Sequence, residues 1–263
     1  MVTANSHLAA GRPAVRSDAV PAPHPPLPRY YRSEADRSRW VRAIFDRTAG
    51  DYDRIERVLG LGSGSWYRRR ALWRAGLRSG MTVLDVGTGT GLVAREAAAL
   101  VGEGSRVTGI DPSPGMVRHA RVPPGVRLLA GTAESIPAAD GTADFVCMGY
   151  ALRHISDLAA AFAEFRRVLR PGGCLCLLEI TQPGSVLGRA LLKGYLRGLV
   201  PAVAAAISRH RDTPELMRYY WDTIEACVPP AAILDALRAA GFVAVERYVV
   251  LGVFSEYRAR NAA

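Results

Sequence analysis

The chain has 263 residues, of which 49% are hydrophobic, so it can bury the core of one large domain and still carry an appendage. Its four cysteines are not spaced like metal ligands, which excludes a cysteine-based metal site and favours a reducing compartment. No apolar leader follows the first methionine and no uninterrupted apolar run reaches about 20 residues, so the sequence predicts a cytoplasmic protein that does not span a membrane.

Positive charge is concentrated near the N-terminus. The net charge is +10, and residues 1–79 contribute +8 of it while residues 80–263 contribute +2. A basic surface of this kind suits nucleic acid, an anionic membrane or plain solvent. Lys193 is the only lysine, which indicates compositional bias rather than a groove built for phosphates.

Two segments precede the first predicted strand. Residues 1–28 are rich in proline and lack apolar periodicity, so we expect a disordered tail. Residues 29–79 place apolar side chains at helical spacing and predict one or two helices that lie over the sheet as a lid. In this segment, Tyr52 and Trp66 are consistent with ordinary packing or with a place in the lid, and both interpretations stay open.

A glycine-rich turn follows. The stretch from Met81 to Gly91 reads M-T-V-L-D-V-G-T-G-T-G and opens into helical spacing from Leu92 to Leu100. This pattern predicts a strand, a tight turn and a helix. Glycine permits unusual dihedrals and leaves the backbone bare, and a helix N-terminus favours anions. We expect the turn to hold a small molecule with a carboxylate or phosphate.

Two acids accompany the turn. The glycines Gly87, Gly89 and Gly91 come closer together than the dinucleotide pattern G-x-G-x-x-G requires. Asp85 precedes them, and Asp111 ends the next predicted strand, 106–111, where a carboxylate can accept two vicinal ribose hydroxyls. A nucleotide-binding oxidoreductase remains the alternative to the interpretation given below.

Further elements supply candidate residues at the carboxyl ends of strands, where ligands bind in doubly wound folds. Helix-starting Pro114 places Met116 against an adenine ring or in the core. Strands are predicted at 126–130 and 143–149, followed by Thr132 with Ala133 and by Tyr150 to His154, respectively. The histidine is equally consistent with a structural and a functional role.

The last third combines a strand, a helical insertion and a terminal pair. R-P-G-G turns into a buried strand at 174–180, and the insertion at 186–228 begins with an amphipathic helix. That helix packs on the sheet, or it forms an apolar entrance for the substrate or a contact with the membrane surface. Tyr219 and Trp221 are candidate walls for an aromatic substrate. A helix at 229–240 and strands at 242–250 and 251–256 complete the chain.

The acid, the glycine turn and the second acid resemble the S-adenosylmethionine site of class I methyltransferases. Across roughly residues 45–258, the sequence resembles the ubiquinone/menaquinone biosynthesis C-methyltransferases in A-x-x-Y-D ending at Asp53, A-L-R-H ending at His154, L-R-P-G-G, and the late Tyr219 helix. The resemblance implies a doubly wound, mostly parallel seven-stranded α/β sheet of the Rossmann-like type, with an N-terminal helical lid and an antiparallel terminal strand. It implies S-adenosylmethionine as cofactor, bound by Asp85, Gly87, Thr88, Gly89, Gly91, Asp111, Met116, Thr132, Ala133 and Gly149.

The resemblance also implies C-methylation of a reduced quinone-type or phenolic ring. Arg153 and His154 are the expected catalytic residues: the histidine, titrating near neutrality, takes the ring hydroxyl proton, and the arginine stabilises the oxyanion. Tyr52, Tyr150, Tyr219 and Trp221 are the expected substrate contacts, and no metal is expected. The acceptor is expected to be a small aromatic molecule that carries or lacks a prenyl chain.

The sequence departs from the family pattern on the acceptor side. The family usually has Asn at the place of His154, Ser at the place of Gly149, Asn at the place of Thr132 and Thr at the place of Ala94. These departures leave open O- or N-methylation of a specialised metabolite or lipid headgroup, and binding without catalysis. Motifs of nucleic-acid methylation, such as Asn-Pro-Pro-Tyr, are missing, so we expect no nucleic-acid partner. A homodimer and peripheral membrane contact stay open.

Overall fold

A seven-stranded sheet with helices on both faces forms the body of the protein. The computed structural model describes residues 22–60, 62–102 and 106–263. The strands are β1 Thr82–Val86, β2 Arg106–Asp111, β3 Arg127–Ala130, β4 Ala143–Gly149, β5 Leu169–Ile180, β6 Phe242–Val250 and β7 Phe254–Asn261. Their order is β3-β2-β1-β4-β5-β7-β6, with β7 antiparallel to both neighbours and the other pairs parallel. The predicted fold class is confirmed.

The helices are α1 Glu34–Leu59, α2 Gly64–Arg74, α3 Leu92–Val101, α4 Pro114–His119, α5 Leu158–Val168, α6 Val186–Lys193, α7 Val200–Ile207, α8 Thr213–Ala226 and α9 Pro230–Ala239. Side-chain caps fix several starts: Ser113 accepts from the Met116 N–H, and Asp157 accepts from the Ala160 N–H. The parallel strands alternate with these helices, so the carboxyl ends of β1, β2 and β4 meet at one edge of the sheet. We call it the carboxyl edge.

Strand boundaries differ from the sequence expectation at two places. β5 begins at Leu169 rather than 174, because Leu169 pairs with Ala143 and the strand continues past an irregularity, formed by R-P-G-G, before Cys174 pairs with Phe145. The final strand begins at Phe254 rather than 251, because Leu251 and Gly252 have positive φ angles and form the turn between β6 and β7. All four cysteines are free thiols.

The proline-rich segment is partly folded, contrary to expectation. Residues 1–21 lie outside the described residues, but Pro23 and His24 are buried. The Pro23 carbonyl accepts from the Val228 N–H at 2.8 Å, and Tyr31 packs edge-on against Tyr219. Proline does not prevent this packing because the segment binds through carbonyls and side chains, which need no regular backbone. We call residues 22–31 the strap.

The insertion forms one long helix followed by α8. α6 and α7 are joined by a π-helical stretch, Gly194–Leu199, into a continuous helix, Val186–Ile207, that we call the insertion helix. It is long and apolar enough to cross a membrane by length and composition, with a mean hydropathy of 1.4 and 17% of the window buried. Arg189, Lys193 and Arg197 interrupt its apolar residues, so the helix contains no uninterrupted apolar run of about 20 residues.

Asp51 joins the lid to the insertion. Its carboxylate accepts hydrogen bonds from the backbone N–H groups of Arg209 and His210, at 2.9 and 2.8 Å, and from the Thr213 hydroxyl at 3.1 Å. Burial alone would raise the pKa of Asp51, but these donors hold it below its usual value. One α1 carboxylate thereby satisfies donors at the start of α8.

Replacing Asp51 with alanine leaves the two partly buried backbone donors and the buried Thr213 hydroxyl without this acceptor. We expect Asp51→Ala to lower the free energy of unfolding by about 1–3 kcal/mol, measured by urea denaturation. The control is Asp235→Ala, which removes an exposed carboxylate paired with Arg238 and should change stability by less than about 0.5 kcal/mol. Equal effects of the two substitutions would contradict the anchoring role.

Candidate functional site

A cavity of about 330 Å³ opens at the carboxyl edge, between the strand ends and α1. The size is within the range of small-molecule sites. One part, the glycine-turn half, is lined by Gly87, Gly89, Asp111, Met116, Thr132, Ala133 and Gly149. The other part, the aromatic half, is lined by Phe45, Tyr52, Tyr150, His154 and Tyr220. Most of the candidate ligand residues therefore come together.

The glycine turn presents bare backbone to the cavity. Gly87 and Gly89 have φ angles of 69° and 56°, which favour glycine, and a β carbon on Gly87 would lie 2.7 Å from the Ala151 side chain. Thr88 and Gly91 do not line the cavity. Gly91 caps α3 and packs on Val122, so its role is in the turn itself.

Asp111 points into the cavity from the end of β2. Its two carboxylate oxygens accept from the Gly89 and Ser113 N–H groups, each at 2.8 Å, and each oxygen keeps a further lone pair. Burial raises the pKa of this carboxyl. A carboxylate held in this way beside bare glycine backbone fits a ribose diol, and buried Met116 fits the flat face of a base.

Asp85 lies beneath the turn rather than in the cavity. It is fully buried, accepts from the Thr88 hydroxyl at 2.6 Å, and lies 3.5 Å from the Cys147 sulfur. Burial raises the pKa of Asp85 to about 7. Asp85, expected to bind the cofactor, does not line the cavity, and its hydrogen bond with Thr88 holds the glycine turn.

The structure gives a steric reason for one departure from the family pattern, the glycine at position 149. A β carbon there would lie 2.5 Å from Val93 Cγ2, so α3 leaves no room for a serine at this place. The valine fills the volume that a side chain at position 149 would otherwise occupy.

Two acids of α1 fix the lid to the glycine-turn half, and sequence reasoning missed both roles. Asp46 accepts from the Ser113 hydroxyl at 2.6 Å and from the Gly115 N–H at 2.7 Å, at the start of α4. Asp53 accepts from the Thr90 hydroxyl, within the turn. The available signal was their spacing, because acids at i and i+7 share one helix face.

The aromatic half surrounds His154. Its ring lies 5.3 Å from Phe45, edge to face, and stacks at 5.9 Å from Tyr220. Tyr52 and Tyr150 line the cavity, as predicted substrate contacts must. Tyr219 and Trp221 do not line it: both are buried, and Tyr220 between them faces the cavity instead. A helical period of 3.6 turns neighbours to different faces, which the sequence reading did not resolve.

His154 is neutral at physiological pH. Its Nδ1 lies 3.3 Å from the Tyr219 hydroxyl, whereas its buried Nε2 has no partner among the described residues. Burial, with Arg153 nearby, lowers the pKa of His154 well below 6.5. The expectation that it titrates near neutrality was wrong, because an aromatic enclosure disfavours the imidazolium.

Arg153 does not reach the cavity. Its guanidinium donates to Glu179 at 2.7 Å and to the Thr223 hydroxyl at 2.7 Å, in a buried network. Arg153 is therefore not placed to contact a substrate oxyanion directly. Its positive charge lies beside the ring of Tyr220, with 5.8 Å between the guanidinium carbon and the ring centre.

The strap and α1 hold the backbone on both sides of His154. His24 Nε2 donates to the Arg153 carbonyl at 3.0 Å, and Arg37 donates to the Ile155 carbonyl at 3.1 Å. Arg37 Nη2 lies 3.0 Å from His24 Nδ1, and the Pro25 carbonyl oxygen lies 2.7 Å from the same nitrogen, so the tautomer of His24 decides whether Nδ1 accepts from Arg37 or donates to Pro25. Burial and the charges of Arg37 and Arg153 lower the pKa of His24 to about 4, although the Pro25 carbonyl near Nδ1 opposes the shift.

The described residues contain no group of three or more histidine, cysteine or acidic side chains that could hold a metal ion.

Comparison with known proteins shows the family of the chain. A model of the ubiE/COQ5 methyltransferase family matches residues 32–258. The chain is 34% identical over 225 residues to the demethylmenaquinone methyltransferase of Beutenbergia cavernae, covering 85% of this chain and 91% of that protein. It is 31% identical to the 2-phytyl-1,4-naphtoquinone methyltransferase of Thermosynechococcus vestitus, covering 81% of this chain and 94% of that protein.

A solved structure shows the same fold. An S-adenosylmethionine-dependent methyltransferase of Thermotoga maritima superposes with a TM-score of 0.59 at 22% identity, covering 83% of this chain and 98% of that protein. The likeness extends to the Rossmann-like α/β architecture.

Removing the His24 ring should weaken the support of His154. We expect His24→Ala to lower the free energy of unfolding at pH 7 by about 1–3 kcal/mol, because the buried Arg153 carbonyl loses its donor. A histidine with a lowered pKa stabilises the fold above about pH 6.5 and loses that contribution as pH falls towards 4. The difference between wild type and variant, measured by urea denaturation, should therefore shrink on acidification.

His24→Gln, which keeps a side-chain N–H donor, serves as the matched control and should recover part of the loss without the pH dependence. A wild-type-to-alanine difference that stays constant from about pH 7 to about pH 4 would contradict a neutral, donating His24.

Asp85 gives the opposite pH dependence. A carboxyl with its pKa raised to about 7 stabilises the fold at low pH and loses that contribution as pH rises through 7. Asp85→Asn keeps an acceptor for Thr88 but does not ionise. Relative to this variant, wild type should lose up to about 4 kcal/mol of stability between about pH 4 and pH 8. Parallel pH curves for the two proteins would contradict the raised pKa.

Proposed function

The chain belongs to the ubiE/COQ5 methyltransferase family, and from this membership we propose that it methylates a ring carbon of a reduced, prenylated quinone. It is an S-adenosylmethionine-dependent methyltransferase. The observation that carries the acceptor class is the aromatic half of the cavity, in which Phe45, Tyr220 and Tyr52 line the space next to the glycine turn. Aromatic rings pack well against a planar quinol.

The glycine-turn half would hold the cofactor. S-adenosylmethionine supplies an electrophilic methyl group on a positively charged sulfur. Asp111 would accept hydrogen bonds from the ribose hydroxyls, and Met116 would cover the adenine. Gly87 and Gly89 let the ligand lie against the backbone, while Thr132, Ala133 and Gly149 line the same half. Asp85 and Thr88 keep the turn in shape from below.

His154 would take the proton of the ring hydroxyl. Its buried Nε2 has no partner among the described residues, and the lowered pKa keeps the imidazole neutral, so that a ring nitrogen has a lone pair for a proton. Removing this proton raises the electron density of the ring carbon, which then forms the bond to the methyl group as the sulfur–methyl bond breaks. The ring loses its carbon-bound hydrogen as a proton to solvent, and His154 returns the hydroxyl proton.

Arg153 would act through its environment. Its charge, buried beside Tyr220, favours the transient negative charge on the ring oxygen, and its pairing with Glu179 fixes the segment that carries His154. Closure by α1 excludes water from the transfer, because Phe45 and Tyr52 cover the aromatic half. In this apolar enclosure, alignment of the ring carbon with the methyl group contributes more to the rate than strong acid or base groups do.

The acceptor would be a small molecule, with no part for nucleic acid. A prenyl chain is insoluble in water, so we place the enzyme at the cytoplasmic surface of the membrane, as a peripheral protein. The exposed insertion helix supports this location. The same exposed surface is compatible with a homodimer. Vesicle flotation and sedimentation equilibrium distinguish membrane contact from dimer contact.

The decisive experiment follows labelled methyl from S-adenosylmethionine to a chemically reduced naphthoquinol with an unmethylated ring carbon beside its prenyl chain. We expect label on carbon in the reduced sample and none with the oxidised quinone, because only the quinol has an ionisable hydroxyl. Asp111→Ala should lose cofactor binding by about 100-fold or more, since it removes a charged acceptor. Label on oxygen or nitrogen would overturn the carbon acceptor, and cofactor binding without any transfer would overturn the quinol.

The role of His154 is tested by two variants. We expect His154→Ala to reduce kcat by about 100-fold or more. His154→Asn has the residue that the family pattern predicts at this position. We expect this variant to bind the acceptor as wild type does, and its kcat should no longer depend on proton transfer to residue 154. Wild-type kcat should show no acid limb centred at 6.5, because the pKa of His154 lies well below that value. Full turnover by the alanine variant at all pH values would exclude the base role.

A further inference from the structure

The insertion helix carries a row of large apolar side chains that the protein leaves uncovered. Val186, Leu187, Leu191 and Leu199 are between 55% and 75% exposed. Leu187, Leu191 and Leu199 are separated by multiples of four residues, so they lie near one face of the helix. Such a row is costly in water and indicates a surface that is covered in use.

The opposite face of the helix points towards the protein. Lys193 pairs with Glu225 at 2.6 Å, and Arg197 lies 3.7 Å from Asp222, both on α8. Each cation lies two residues from a leucine of the row, and two residues turn an α-helix by about 200°. With the cations facing α8, the leucines face away from the body.

Two further exposed apolar residues lie at the carboxyl edge. Leu251, in the turn between β6 and β7, is 85% exposed. The neighbouring Val250 pairs with Phe254, and Phe254 pairs with Ile180, where β5 ends and the chain leaves for the insertion helix. Trp66 at the start of α2 is 69% exposed, and the next residue, Tyr67, packs at 5.0 Å on Phe254.

These residues share an edge with the cavity. β5 runs parallel to β4, whose end Gly149 lines the glycine-turn half, so Ile180 and Gly149 lie at the same edge. The Thr181 N–H donates to the Val253 carbonyl at 2.8 Å, which ties the β6–β7 turn to the root of the insertion helix. Three elements that are separate in sequence thus present apolar side chains beside the site.

We propose that this edge docks on a lipid bilayer through a docking face formed by Leu187, Leu191, Leu199, Leu251 and Trp66. The inference rests on the proposed function in one respect, since a prenylated acceptor is held by a bilayer. A bilayer fits better than a second copy of the chain because the apolar side chains project from separate elements and belong to no common groove. Tryptophan and leucine suit the interface of a bilayer. The chain has a net charge of +10, of which residues 1–79, the segment that includes Trp66, contribute +8, and this charge favours an anionic membrane.

The docking is peripheral rather than spanning. Val200 and Ala204, in the last part of the insertion helix, are buried in a core cluster with Ile44 and Tyr219. A helix packed on the body in this way cannot cross the bilayer without unfolding that cluster. The exposed part, 186–199, lies flat at the interface instead.

The test uses the full chain and flotation with phosphatidylcholine vesicles, with and without phosphatidylglycerol. We expect wild type to float with the anionic vesicles and Leu187→Ser combined with Leu191→Ser to reduce the partition coefficient by about 10-fold or more. Trp66→Ser should also weaken binding. Trp73→Ser is the matched control: Trp73 is 48% exposed, lies at the other end of α2 from Trp66, and its substitution should leave vesicle binding as in wild type.

Several results would overturn the docking face. They are absence of flotation by wild type, unchanged flotation of the double variant, or equal losses for Trp66→Ser and Trp73→Ser. A dimer in sedimentation equilibrium that the double variant dissociates, without vesicle binding, would assign the leucine row to a second copy instead.

Methyl transfer to a short-chain quinol in solution separates this proposal from the proposed function. The double variant should match wild type in that assay, because neither leucine lines the cavity. If wild type binds vesicles but methylates no quinol, the proposed function fails while the docking face stands; if it methylates the soluble quinol but binds no vesicles, the docking face alone fails.

Discussion

The site depends on hydrogen bonds from backbone and hydroxyl donors to the carboxylates of a single helix. α1 would be an ordinary amphipathic helix without Asp46, Asp51 and Asp53, which reach α4, the insertion and the glycine turn, respectively. Hydrogen bonds to charged acceptors are stronger and more directional than apolar contacts. They hold α1 in one register, and that register places Phe45 and Tyr52 over the cavity. The fold supplies the glycine turn for a cofactor, and these three acids hold α1 over that turn.

The sequence was most informative where one physical requirement dominates. β2 and β4 have the predicted bounds, and the cavity contains Asp111, Gly87, Gly89 and Met116, because strand periodicity and bare glycine backbone are local properties. The placing of Tyr219 and Trp221 away from the cavity depends on the rotation of α8, which tertiary packing sets. The same holds for His24, which became part of the site through contacts 129 residues away.

Burial determines the chemistry of the titratable groups more than their type does. Asp85, with its pKa raised, and His154, with its pKa lowered, both favour their neutral forms, although one is an acid and the other a base. Arg153 keeps its charge because Glu179 and Thr223 satisfy it. The reaction centre is therefore a neutral enclosure with one compensated ion pair behind it, which suits the transfer of a methyl group from a cation to a polarisable ring.

The strap also bears on the order in which the protein assembles. Its Pro23 carbonyl binds the N–H of Val228, so one of the first described residues completes its contacts with one of the last helical elements. Contacts between residues this far apart in sequence form late in folding, because the entropic cost of closing a long loop comes before the contact stabilises the chain. A chain still emerging from the ribosome could complete β1, α3 and β2 long before residue 228 exists. The glycine turn can thus fold early, whereas the backbone around His154 gains its final support only when synthesis is almost finished.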